Sequence, residues 1–87
     1  MTSKARAEHR RIQRLIHRIN AAGGDAEHRY HHRQHMIEYV IRENGKTVFQ
    51  EFAWLDHDWT EAKLRKIRHQ MEIAAAKVDI VDRSNAA

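Results

Sequence analysis

MIEYVIRENGKTVFQEFAW, residues 36–54, is the stretch whose reading decides the fold. β-Branched and aromatic residues lie on both sides of Asn44-Gly45, a pair suited to a two-residue type I′ turn because both central positions need positive φ. The spacing predicts a β-hairpin with Glu43 opposite Lys46, Ile41 opposite Val48, Tyr39 opposite Gln50, Ile37 opposite Phe52 and His35 opposite Trp54. In that register Ile37, Tyr39, Ile41, Val48, Phe52 and Trp54 share the core face. The other face sets Val40 against Phe49, Met36 against Ala53, Arg42 against Thr47 and Glu38 against Glu51.

Working outward, residues 4–22 carry Ala5, Ile12, Leu15, Ile16, Ile19 and Ala22 at helical spacing, and Gly23-Gly24 supplies a stop. On the far side, Asp58 with Glu61 three residues later has the form of a capping box. It opens a helix expected to run to about residue 81, with Leu64, Ile67, Met71, Ala74, Ala75, Val78 and Val81 on its core stripe. Residues 25–35 are harder to place. The expected architecture is a two-layer α+β domain of helix, β-hairpin and long helix (α-β-β-α), a single domain over residues 1–87 with loose ends at 1–3 and 83–87. A two-stranded sheet is marginal in water. Either Arg29–His35 extends the first strand, or a second subunit completes the sheet in a homodimer. Ile73, Ile80 and His69, with Ala62 and Ala76, form a weaker apolar strip on the last helix that would serve as the oligomer interface, unless Ile73 and Ile80 pack under the first helix.

Order alone resembles the double-stranded-RNA-binding domains, whose third strand and basic turn at the second helix have no counterpart in this reading. No residue of that family is carried over.

The net charge is +4 over 87 residues, yet residues 1–20 hold Lys4, Arg6, Arg10, Arg11, Arg14 and Arg18 against Glu8, a surplus of +5 that leaves −1 for the remainder. At 100° per residue, Arg6, Arg10, Arg11, Arg14 and Arg18 fall opposite the apolar stripe. A localised arginine face suits a polyanion, because the planar guanidinium holds phosphate or carboxylate through two hydrogen bonds. Arg29 and Arg33, interleaved with Tyr30 and four histidines, extend that character. Lys63, Arg65, Lys66 and Arg68 on the last helix are interspersed with Glu61 and Glu72 and read as a solvated face.

His28, His31, His32 and His35 have the residue type for zinc, copper or nickel, but their spacing suits a metal only if that segment is helical, so no metal or other cofactor is expected. His57 between two aspartates lacks a nucleophile beside it, and the chain has no cysteine and no P-loop, dinucleotide or nucleophile-elbow motif. The expectation is a non-enzymatic, cytoplasmic binding protein with no small-molecule substrate and no membrane partner. Its partner is nucleic acid, DNA or RNA, held by the arginine-rich N-terminal helix. The alternative is a protein-interaction module, an adaptor or inhibitor of mobile-element or phage type, that engages an acidic protein surface.

Overall fold

Ala5, Ile12, Leu15, Ile16 and Ile19 are all buried, so Ser3–Ala21 coils as helix α1 with one apolar stripe toward the core. The computed structural model describes residues 3–77, in which α1 is followed by β1 (Asp25–His31), β2 (Met36–Glu43), β3 (Lys46–Trp54) and helix α2 (Glu61–Lys77). Ser3, expected in a loose end, is the first residue of α1. Residues 83–87, Val78, Ile80 and Val81 lie outside the described residues.

Gly23 ends α1 with a φ of 91°, its N–H donating to the Asn20 carbonyl at 3.1 Å while the Gly24 N–H donates to the Ile19 carbonyl at 2.9 Å. These are the paired bonds of a Schellman end. Asn20 then grips one residue at two points: Nδ2 donates to the Ala26 carbonyl at 2.9 Å, and Oδ1 accepts from the Ala26 N–H at 2.8 Å. The grip places Asp25 and Ala26 alongside the helix end, where a strand begins.

That strand is the main addition to the predicted order, which becomes α-β-β-β-α within the α+β class. β1 pairs antiparallel with β2, Ala26 opposite Ile41, His28 opposite Tyr39 and Tyr30 opposite Ile37, so the sheet order is β1-β2-β3. The chain itself supplies the third strand, and no second subunit is needed for it. β1 contains no β-branched residue. Cross-strand charge holds it instead, Arg42 reaching Glu27 at 2.5 Å and Asp25 at 3.5 Å.

The Asn44-Gly45 turn forms as predicted, with φ values of 52° and 80°. The hairpin register holds at Glu43–Lys46 and Arg42–Thr47 and then shifts by one: Ile41 faces Phe49, Tyr39 faces Glu51, Glu38 faces Phe52, Ile37 faces Ala53 and Met36 faces Trp54. Val48 is the extra residue of a β-bulge. A one-residue slip exchanges the faces of all that follows. Phe49 and Ala53 therefore turn toward the helices, while Val48 (42% exposed) and Trp54 (39%) leave the predicted core. The unbulged register would set Glu38 directly opposite Glu51, a like-charge pair. The bulge separates them, and Gln50 and His31 (2.8 Å) both donate to Glu38 on the face of the sheet away from the two helices.

Both helices pack on one face of the sheet, joining Ala26, Tyr39, Ile41 and Ala53 to the α1 stripe and to Leu64, Ile67, Met71 and Ala75 of α2. The cap of α2 is Thr60 rather than Asp58: its Oγ1 accepts from the Lys63 N–H at 3.1 Å. Asp58 instead pairs with the Lys63 ammonium at 3.4 Å. Trp59 and Leu64, one residue before the cap and four after it, both enter the core in the positions of a hydrophobic staple.

The bulge predicts that Val48→Thr shifts urea-unfolding stability by no more than about 0.5 kcal/mol. Ala53→Leu, by overfilling the core, costs about 1–3 kcal/mol in the same assay.

Candidate nucleic-acid interface

α1 gives its outer face to arginine because the face turned to the sheet is taken by the apolar stripe and by His9. Arg6, Arg10, Arg14 and Arg18 are exposed, and among the described residues none has a carboxylate partner. At 1.5 Å per residue, Arg10, Arg14 and Arg18 follow one another at about 6 Å intervals along the helix. Two members of the predicted set are differently employed. Arg11 bonds Glu8 at 2.7 Å, and Arg29 pairs with Glu27 at 2.6 Å on the opposite side of the sheet. Arg33 lies exposed in the β1–β2 turn, whose position His35 takes a φ of 56°.

Glu8 is the residue that the sequence reading passed over. It is the one acid of α1 and is 1% exposed. Its signal was available: Glu8 lies three residues after Ala5 and four before Ile12, inside the apolar stripe. The carboxylate accepts from Arg11 Nη1 at 2.7 Å and Arg68 Nε at 3.1 Å, with Arg65 Nε at 3.6 Å. Burial pushes the Glu8 carboxyl up, but the bonds and charges of Arg68 and then Arg11 outweigh it, so its pKa lies below the ordinary carboxylate range. Arg68 also donates to Glu72 at 3.1 Å, and Arg65 bonds Glu61. The solvated basic face predicted for α2 is thus partly an anchor between the helices.

Above this anchor runs an open groove of about 770 Å³, lined by Arg10, Arg11, Arg14, His17 and Arg18 of α1 and by Arg68 and Glu72 of α2. Five arginines against one glutamate make it a cationic trough whose width is set by the α1–α2 contact.

The histidine-rich stretch is divided by strand alternation. His28 packs its ring 5.2 Å from His9 on the helix side, whereas His31 bonds Glu38 on the side away from the helices. His32 and His35 flank Tyr30 in the turn, at 5.7 and 6.3 Å between rings, and His35 lies 3.3 Å from Asp56. Among the described residues no three His, Asp or Glu side chains come together as a metal site. Nor is any described helix long and apolar enough to cross a membrane.

His9, another unpredicted contributor, shares a hydrogen bond with the Tyr39 hydroxyl at 2.8 Å, its ring 5.1 Å from that of Trp59. The Trp59 indole N–H is buried without a partner among the described residues. Burial, and secondarily the charge of His28, lowers the His9 pKa to about 4. On the oligomer strip, Ile73 is 57% exposed and His69 is exposed, so Ile73 does not pack under α1; Ile80 lies outside the described residues. Val48, Phe49 and Ile73 border a second hollow of about 390 Å³ between β3 and α2.

Comparison with protein-family models, with curated proteins and with solved structures finds no match to this chain.

The His9 environment predicts a particular acid sensitivity. An unfolded imidazole takes its proton near pH 6.5, while the folded one resists until about 4. Protons therefore favour the unfolded state across that window, and stability declines as pH falls through it, by at most about 3 kcal/mol. Urea midpoints measured from pH 7 to 4.5 should fall for the wild type and stay nearly level for His9→Gln. Equal slopes for both would show that another group carries the effect.

Proposed function

We propose that this chain is a small non-enzymatic nucleic-acid-binding protein whose contact surface is the arginine face of α1. The observation that carries the reading is the set Arg6, Arg10, Arg14 and Arg18, exposed along one helix without a carboxylate partner among the described residues. Their charge is not consumed within the fold, and a phosphate backbone supplies acceptors for it. The groove beside them adds Arg11 and Arg68, so the cationic surface is concave rather than a single ridge.

Titration with duplex RNA and duplex DNA at 50 and 200 mM salt tests the reading. Neutralising about four to six phosphates gives a log K against log salt slope of roughly −3 to −5. Replacing Arg10, Arg14 and Arg18 together by Gln makes the slope shallower by about 3. No binding at the lower salt, or a slope near zero, would overturn it.

A protein contact is the second reading, and exposed Val48 and Ile73 beside the open β3 edge favour it. An unpaired edge invites a further strand, and apolar residues next to it add contact area. If the partner is another copy, light scattering on the order of tens of micromolar gives the mass of a dimer, which Ile73→Glu reduces to that of a monomer. A monomer mass for the wild type removes the homodimer.

A further inference from the structure

We infer that Glu8 is the positioning residue of a phosphate-binding seam between α1 and α2, in which Arg68 and Arg11, held by its carboxylate, complete the cationic groove opened by Arg10, Arg14 and Arg18. The inference rests on the nucleic-acid reading and goes beyond it, because it brings α2 into the site and assigns a task to an acid.

The starting point is the buried acid. A carboxylate in the apolar stripe of a helix is disfavoured unless it is paired and hydrogen-bonded. Glu8 meets that requirement through three arginines that converge on one buried anion, two of them hydrogen-bonded to it, one on each oxygen. Arg65 is also paired with Glu61, and Arg68 with Glu72, whereas Arg11 pairs with Glu8 among the described residues.

Arg68 shows what the arrangement can do. Its Nε is fixed by Glu8 and its Nη1 by Glu72, so two of the five N–H donors of the fork are engaged. The side chain remains 22% exposed and lines the groove beside the α1 arginines. A guanidinium held from behind keeps its orientation before the ligand arrives, which reduces the ordering entropy lost on binding. The planar fork then offers paired donors to a phosphodiester oxygen, which a mobile ammonium at the same place would not. Lining charge favours the same ligand, five arginines against Glu72.

Glu8→Gln separates positioning from charge because the two act in opposite directions. The substitution raises the net charge by one, so if only the summed field matters, affinity for RNA or DNA duplexes at 50 mM salt rises. If Glu8 orients Arg68 and Arg11, affinity falls about five- to tenfold and the salt slope becomes shallower by about 1 to 2. Circular dichroism and a cooperative melt establish that the variant is folded. An unchanged or tighter isotherm for folded E8Q overturns the inference. Where E8Q does not fold, Arg68→Lys decides: charge is retained, the fixed fork is lost, and affinity falls about threefold or more. An R68K isotherm equal to the wild type overturns it. Wild type that binds neither duplex removes the nucleic-acid reading itself, an outcome distinct from a wild type that binds and an E8Q variant that binds better.

Discussion

The carboxylate of Glu8, closed off at the contact between α1 and α2, is the constraint on which the rest of the molecule turns. It sits among aliphatic side chains that would exclude it if it were alone, a situation costing on the order of several kcal/mol for an unpaired buried charge. Arg11 from its own helix and Arg65 and Arg68 from the other prevent that. Since α2 contributes two of these partners, the carboxylate can be satisfied only when the two helices lie side by side. That arrangement forms the trough between them and leaves Arg10, Arg14 and Arg18 on its outer wall. Core packing and the candidate function therefore share one side chain. The apolar stripe decides which way α1 faces, and Glu8 decides what stands beside it.

Much of the fold was legible because local chemistry and tertiary structure agree. Gly23-Gly24 stops α1, Asn44-Gly45 turns the hairpin, and the stripe of α2 through Leu64, Ile67 and Met71 enters the core. Three features were not legible, each for a different reason. β1 lacks β-branched residues and is held by pairs formed with β2 and by the Asn20 grip on Ala26, partners that composition cannot reveal. The bulge at Val48 depends on whether Glu38 meets Glu51 or Phe52, a choice between two registers that the Asn-Gly turn alone leaves equal. The cap moved from Asp58 to Thr60 because Trp59 is drawn inward as the residue before the cap.

The candidate site was half visible. Arginine periodicity located Arg6, Arg10, Arg14 and Arg18, since opposite faces of an amphipathic helix can be read directly from spacing. Which cations stay available is decided largely by acids distant in sequence: Glu8 engages Arg68 across 60 residues, and Glu27 engages Arg42 across 15. The histidines show the same limit. Their crowding in sequence suggested a cluster, and strand alternation sent His28 toward His9 and His31 toward Glu38. Long-range pairing, rather than residue type, sorted the charged side chains into anchors and surface.

Chemical-shift mapping of the backbone and of the arginine Nε–H signals during addition of a short RNA duplex tests the account most directly. The account predicts changes concentrated on α1 from Arg6 to Arg18 together with the Nε–H signal of Arg68, and none at Arg29, His31 or Phe52 on the side of the sheet away from the helices. Changes confined to that side, or a spectrum unaltered by the duplex, would contradict it.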